Sequence, residues 1–130
     1  MRLLLDTHIW LWALLEPERL SPAVRTALES ADSELWLSPI SVWEALLLAE
    51  RGRLSPSAPL DQWIEQMVRA IPRREASLTH DIAVASRRLT LPHQDPADRF
   101  LAATALVLGL TLVTADERMQ HSPDYAVMAN

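Results

Sequence analysis

The chain has 130 residues and a mass of 14.6 kDa, which is the size of one domain built around a single hydrophobic core. Its 49% hydrophobic and 22% charged residues exclude a disordered protein. The absence of Cys excludes disulfides, thiolate zinc sites and cysteine nucleophiles, and is typical of proteins of the cytoplasm. The net charge of −5 argues against a broad basic surface for nucleic acid.

The sequence also argues against lysine-dependent chemistry, a membrane span and a signal peptide. All 12 basic residues are Arg, so a Walker-type phosphate loop and Schiff-base chemistry, which need Lys, are ruled out. The longest apolar run, Ile9 to Leu15, is far shorter than the ~18 residues of a membrane span. Asp6 and His8 also interrupt the N-terminal apolar stretch, which argues against a signal peptide. We therefore expect a cytoplasmic protein that does not enter the membrane.

The first half of the chain predicts two strands, each followed by helices. Residues 2–6 predict a buried strand that ends in an acid, and residues 7–15 predict a helix. Ser21-Pro22 predicts the start of an amphipathic helix, because Ser is a favoured N-cap and Pro a favoured first helical residue. Residues 35–38 predict a second strand, and Ser38-Pro39 begins a helix expected to end at Gly52.

The second half repeats this alternation. Helices are predicted over residues 60–71, 80–89 and from Pro96 to Gly109, followed by a strand over residues 111–114 and an edge strand at 125–128. Strands that are almost wholly apolar and alternate with helices are typical of a parallel sheet covered on both faces. The sequence thus predicts a single α/β domain over residues 1–130, a three-layer α/β/α sandwich with a mostly parallel sheet.

Tryptophans are numerous for so short a chain. Trp36 and Trp43 lie inside a predicted strand and helix, so we expect both in the core. Trp10 and Trp12 are two residues apart on one helix and cannot both face the same core. We expect one of these two at an interface.

Four acids are the candidate functional residues. Asp6 and Asp116 end predicted strands, where ligands of parallel α/β sheets bind, although each also suits a helix N-cap. Asp98 follows Asp95-Pro96, in which Asp95 is the better N-cap. Glu44 lies among apolar residues of its helix, so its carboxylate must either lie at a rim or be compensated by an Arg or a metal ion.

A metal ion would account for all four acids together. Two carboxylates 4 Å apart repel by ~4 kcal/mol at an effective dielectric constant near 20, so a cluster of them calls for a cation. Carboxylate oxygens suit Mg²⁺ or Mn²⁺, and the four His residues have no spacing typical of a zinc site. A site for such a hard cation points to phosphate chemistry, in which a metal-bound water attacks a phosphodiester.

Four segments carry a family resemblance, in order along nearly the whole chain: Leu3-Leu-Leu-Asp-Thr-His8, Ser38-Pro-Ile-Ser-Val-Trp-Glu44, Asp95-Pro-Ala-Asp-Arg-Phe-Leu-Ala-Ala-Thr-Ala105 and Leu112-Val-Thr-Ala-Asp116. The chain resembles the PIN-domain ribonucleases and, among them, the VapC-like toxins of toxin–antitoxin pairs. One departure is Ala97, where many relatives carry a larger residue.

The resemblance implies a site and an activity. It implies that Asp6, Glu44, Asp98 and Asp116 are the catalytic, metal-binding acids, with Thr7 or Thr114 supporting them. It further implies Mg²⁺- or Mn²⁺-dependent cleavage of RNA, a homodimer, and inhibition by an antitoxin protein. Arg99 is a further candidate, since a guanidinium at this position could reach a phosphate.

Two other interpretations compete with the nuclease. A phosphoacceptor receiver domain also has clustered acids at its strand ends. A resemblance to that family would require a Lys at the end of a late strand, and this chain has no Lys. A catalytically idle PIN-like module that only binds a protein partner is the stronger alternative. We would expect such a module to have lost one or more of the four acids, and all four are present.

Overall fold

The computed structural model describes residues 1–130 and contains one sheet of five strands, all parallel. The strands are β1 (Arg2–Leu5), β2 (Glu34–Leu37), β3 (Arg74–Glu75), β4 (Thr111–Thr114) and β5 (Ala126–Ala129). The helices are α1 (Thr7–Leu15), α2 (Pro22–Glu29), α3 (Pro39–Glu50), α4 (Leu60–Arg69), α5 (His80–Arg88) and α6 (Pro96–Leu108). Short 3₁₀ helices span Pro17–Arg19 and Glu117–Met119.

The strand order in the sheet is β3-β2-β1-β4-β5. In chain order, β2 and β3 are added on one side of β1, and β4 and β5 are then added on its other side. The register pairs Leu3 with Leu35 and Leu5 with Val113, so β1 is central. An order that changes direction between β1 and β4 creates a crevice at the carboxyl ends of these two strands.

Both faces of the sheet are covered by helices. Leu3 and Leu5 of β1 pack with Trp10 of α1 and Trp63 of α4 in one buried cluster. Leu4, which points to the opposite face, packs with residues of α5 and α6 in a second cluster of equal size. This confirms the predicted three-layer α/β/α sandwich. None of the helices has the length and apolarity required to cross a bilayer.

The capping residues explain where the helices begin and end. Ser21 and Ser38 accept hydrogen bonds from the backbone N–H groups of Val24 (3.2 Å) and Ile40 (3.1 Å), as their predicted N-cap role requires. Helix α6 ends at Gly109, whose φ of 64° lies in the left-handed region that favours glycine. Ser38 thus fixes the start of α3, the helix that carries Glu44.

The tryptophan expectations are only partly met. Trp10 is fully buried. Trp36 is partly buried between the guanidinium groups of Arg2 and Arg74, which lie 5.5 and 5.9 Å from its ring centroid. The prediction that Trp43 packs in the core is wrong, because its side chain faces away from the sheet and is 52% exposed.

Candidate active site

The candidate site lies where the sheet changes direction, at the carboxyl ends of β1 and β4. Asp6 directly follows β1 and is the N-cap of α1. Asp116 lies two residues beyond the end of β4 and is the N-cap of the 3₁₀ helix Glu117–Met119. The two acids therefore serve both as helix caps and as neighbours in the crevice, so the two interpretations of each residue are compatible.

Asp6 is fixed by two hydrogen bonds and is only 7% exposed. Its Oδ1 accepts the N–H of Thr7 at 2.8 Å, and its Oδ2 accepts the hydroxyl of Thr114 at 2.6 Å. The same Thr114 oxygen accepts the N–H of Asp116 at 3.0 Å. Burial raises the pKa of Asp6, although these hydrogen bonds act in the opposite direction. Thr114 thus links the two strand-end acids.

Glu44 enters the site from α3 and is held by Thr7. The Thr7 hydroxyl donates to Glu44 Oε1 at 2.6 Å, and its oxygen also lies 3.0 Å from the buried Oγ of Ser41. Burial raises the pKa of Glu44, the Thr7 hydrogen bond lowers it, and the nearby charge of Asp6 raises it further. The Thr7 hydroxyl therefore positions the Glu44 carboxylate, while burial and the charge of Asp6 disfavour its ionised form.

The surroundings of Asp98 raise its pKa strongly. Asp98 lies in the first turn of α6, where its N–H donates to Oδ1 of the N-cap Asp95 at 3.2 Å. Burial, followed by the charges of Asp6, Asp95, Glu44 and Asp116, raises the pKa of Asp98 to about 7. The charges of four other acids thus act on this one carboxylate, in agreement with the shared cleft that all five acids line.

Asp116 differs because an arginine accompanies it. Arg118 Nε lies 3.2 Å from Asp116 Oδ1, and Arg118 Nη2 lies 2.8 Å from Asp116 Oδ2. These bonds lower the pKa of Asp116 below its usual range. The same Nη2 is 3.8 Å from Asp98 Oδ2, so one guanidinium faces two acids.

A histidine not singled out by the sequence adds a nitrogen to this cluster. His93 Nε2 lies 3.4 Å from Asp98 Oδ2, and both ring nitrogens are buried without a hydrogen-bond partner. One potential ligand atom each from His93, Asp98 and Asp116 lie within 4.8 Å of one another. The carboxylate oxygens suit Mg²⁺ or Mn²⁺, so the acids present fit such an ion, whereas an imidazole nitrogen is a donor for transition metals rather than for Mg²⁺.

The four acids line a cleft of about 440 Å³. Two arginines, Arg19 and Arg118, share it with five carboxylates, so its lining is predominantly negative. The lining residues are Asp6, His8, Trp12, Arg19, Glu44, Asp95, Asp98, Ala115, Asp116 and Arg118. The structure therefore brings the four predicted acids together around a single cleft, as well as Asp95, which the sequence assigns to the helix cap alone.

Arg99 does not belong to this cleft, which corrects the expectation that it could reach a phosphate. Its side chain is buried, with Arg99 only 5% exposed. The guanidinium donates to the backbone carbonyl oxygens of Ser86 (2.7 Å), Leu89 (3.0 Å) and His93 (3.2 Å). These hydrogen bonds hold the end of α5 and the loop that follows it, so Arg99 has a structural role.

The sequence patterns also overlook Ser41 and His93. Ser41 lies one helical turn before Glu44, a spacing that could have indicated a hydroxyl on the same face of α3. His93 lies in the loop before α6, and no periodic pattern applies to a loop residue. Its nearness to Asp98 is set by the backbone path, which the Arg99 hydrogen bond to the His93 carbonyl holds.

Comparisons with known proteins agree with this geometry. A profile of the PIN domain matches residues 3–124. The chain is 38% identical over 120 residues to Ribonuclease VapC22 of Mycobacterium tuberculosis (strain ATCC 25618 / H37Rv), a match that covers 90% of this chain and 88% of that protein.

Solved structures show the same fold. VapBC2 from Rickettsia felis, bound to a DNA fragment from its promoter, matches with a TM-score of 0.73 at 16% identity over 99% of this chain and 98% of that chain. DNA-bound VapBC from Salmonella typhimurium matches with a TM-score of 0.68 at 15% identity over 99% and 98%. Since the PIN-domain profile spans nearly the whole chain and a VapC ribonuclease shares more than a third of its residues, this chain belongs to the PIN-domain family, among its VapC-like members.

Proposed function

We propose that this chain is a Mg²⁺- or Mn²⁺-dependent endoribonuclease and the toxin of a toxin–antitoxin pair. The observation that carries this proposal is the convergence of Asp6, Glu44, Asp98 and Asp116 on one cleft at the switch point of the sheet. The relationship to Ribonuclease VapC22 and the fold shared with VapBC complexes support RNA as the substrate and a cognate antitoxin as the partner.

The four acids are the residues that would hold the ion. When bound, Mg²⁺ or Mn²⁺ lowers the pKa of water and neutralises negative charge on a scissile phosphate. The chain's own contribution is positional. Thr114 fixes the Asp6 carboxylate, Thr7 fixes Glu44, and the Asp95 cap sets the first turn of α6 that carries Asp98.

The alternative of a catalytically idle module finds no support in this geometry. All four acids are present and line one cleft, and carboxylates this close together repel one another unless a cation neutralises them. The domain over residues 1–130 would act as a homodimer in the cytoplasm, where both the RNA and the antitoxin are made.

Expression of this chain without an antitoxin is expected to slow bacterial growth. Glu44→Gln should relieve the growth defect at an unchanged protein level, because the amide keeps the shape of the side chain but removes a carboxylate from the ion site. The measurement is growth after induction, with immunoblots to compare protein levels.

The matched control is Glu50→Gln, an exposed residue on the same helix as Glu44. It makes the same chemical change and should leave the chain toxic. If Glu44→Gln slows growth as much as the parent chain, toxicity does not arise from this cleft. A parent chain without any effect on growth would favour the idle module.

A further inference from the structure

Arg118 occupies an unusual place for an exposed arginine. Its side chain is 59% exposed, yet its guanidinium contacts both oxygens of Asp116 and lies 3.8 Å from Asp98. The backbone N–H of Arg118 also donates to Asp116 Oδ1 at 2.9 Å, which ties the start of the side chain to the site. Arg118 is thus a cation at the rim, turned inward onto two of the four acids.

No other arginine forms an ion pair with the acids of the site. The chain has no Lys, and Arg99 is buried with its donors on backbone carbonyls. Arg19, the second arginine of the cleft, lies over the ring of Trp12 at 4.2 Å and contacts Glu16 at 3.2 Å. Arg118 is therefore the one arginine paired with the site acids.

A divalent ion and Arg118 require the same carboxylate oxygens. Once Asp98 and Asp116 direct their charge to an ion, the guanidinium loses most of the attraction that holds it. Its long, flexible side chain keeps the guanidinium at the rim of the cleft, where it is exposed to solvent. The planar fork of arginine matches a phosphate in two-point hydrogen bonding as well as it matches a carboxylate.

We propose that Arg118 is a resident counterion of the acidic cluster, which a divalent ion displaces, and that the freed guanidinium then binds a phosphate of the RNA. This inference rests on the proposed function, since it assigns a substrate-binding residue to the same cleft. It requires opposite effects from a single substitution: loss of Arg118 strengthens binding of the ion and weakens binding of RNA.

The metal half is tested by calorimetric titration of Mn²⁺ into the protein without RNA. Arg118→Gln should bind Mn²⁺ about two- to fivefold more tightly than the parent, the range that an exposed ion pair provides. Arg118→Lys keeps the charge and should lie between the two. An unchanged or weakened Mn²⁺ affinity in Arg118→Gln overturns the counterion role.

The RNA half is tested by fluorescence anisotropy with a short labelled single-stranded RNA of mixed sequence, in saturating Mn²⁺ and read before cleavage proceeds. Arg118→Gln should weaken binding about fivefold and make the slope of log affinity against log salt shallower by about 0.7, the loss of one phosphate contact. A tighter Mn²⁺ site with an unchanged RNA affinity and slope overturns the transfer to phosphate.

The matched control is Arg69→Gln on α4. Arg69 is 73% exposed and paired with Glu65 at 2.8 Å, and the substitution makes the same change in net charge away from the cleft. It should leave both affinities unchanged. A parent protein that binds Mn²⁺ but no RNA contradicts the proposed function and the phosphate contact, whereas the calorimetric titration still decides the counterion role independently.

Discussion

Asp98→Asn is expected to abolish the stabilisation that Mn²⁺ gives the folded protein and to reduce RNA cleavage at least about a hundredfold. An ion that binds only the folded state stabilises it by ~2.7 kcal/mol at a hundredfold excess over its Kd. Asp98 lies among the other three acids, so the loss of its charge weakens the site while the shape of the side chain is kept. The measurement is the thermal unfolding midpoint with and without Mn²⁺.

The same substitution should stabilise the protein in EDTA near neutral pH. The pKa of Asp98 rises from 3.8 to about 7 in the folded state, so the folded protein holds this proton more tightly than the unfolded chain does. Its contribution to the free energy of unfolding is greatest below about pH 4 and is lost as the pH rises through about 7. Asp98→Asn should remove this loss and raise the free energy of unfolding by about 1 kcal/mol at pH 8. The gain is smaller than the full pKa shift implies, because Asp98 is in contact with water.

Asp95→Asn is the control for the Mn²⁺ arm. Asp95 lies beside Asp98 and caps α6, and Asn is an equally good N-cap, so the helix should keep its start. This variant should retain most of the Mn²⁺-induced rise in the midpoint. If Asp98→Asn unfolds like the parent in EDTA at every pH and still responds fully to Mn²⁺, the carboxylates do not gather around an ion.

Arg99→Met is expected to lower the free energy of unfolding by about 3 kcal/mol. The substitution keeps most of the apolar volume but removes the donors for the carbonyl oxygens of Ser86, Leu89 and His93. Carbonyls left without a partner in a buried place each cost about 1 kcal/mol or more. Chemical denaturation by urea, monitored by tryptophan fluorescence, measures the difference.

Arg87→Met provides the comparison for a neighbouring exposed arginine on α5, whose guanidinium contacts only the side chain of Gln94 at 3.2 Å. A surface change of this kind should alter the free energy of unfolding by no more than about 0.5 kcal/mol. Equal effects of the two substitutions would show that the buried guanidinium contributes nothing particular to the fold.

The central strands and the helix starts were predictable because local chemistry determines them. The interior residues of β1 and β4, Leu3, Leu4, Leu112 and Val113, are all apolar, as burial on both faces requires. Ser38-Pro39 and Asp95-Pro96 specify helix starts through an oxygen that caps and a ring that presets φ. Asp6, Asp98 and Asp116 followed from these positions, because strand ends and the first turn of α6 meet at one edge of the sheet. Glu44, in the second turn of α3, was indicated instead by its apolar neighbours.

Strand β3 was not predictable, because its two residues, Arg74 and Glu75, have no apolar pattern. It exists because the open edge of β2 offers backbone groups to pair with, at Trp36 and Leu37. Tertiary contact, rather than local propensity, creates such a strand.

The error at Trp43 has a different cause. Helix α3 is apolar on nearly every side, so periodicity does not identify the buried face. The structure buries Ser41 and Ala45, whose small side chains let the helix approach its neighbours closely, and leaves the large indole outside. Arg99 was misassigned for a related reason, since only the assembled fold shows the carbonyls that surround it.

The most direct test of the central claim is cleavage of single-stranded RNA by the purified chain in Mn²⁺, in excess EDTA, and after Mn²⁺ is restored, with the product ends identified by mass spectrometry. We predict cleavage in Mn²⁺, its loss in EDTA and its return with the ion. The products should carry 5′-phosphate and 3′-hydroxyl ends, because water rather than the ribose 2′-hydroxyl attacks the phosphate. Undiminished cleavage in EDTA, or cyclic phosphate ends, would contradict a metal-dependent hydrolysis by these four acids.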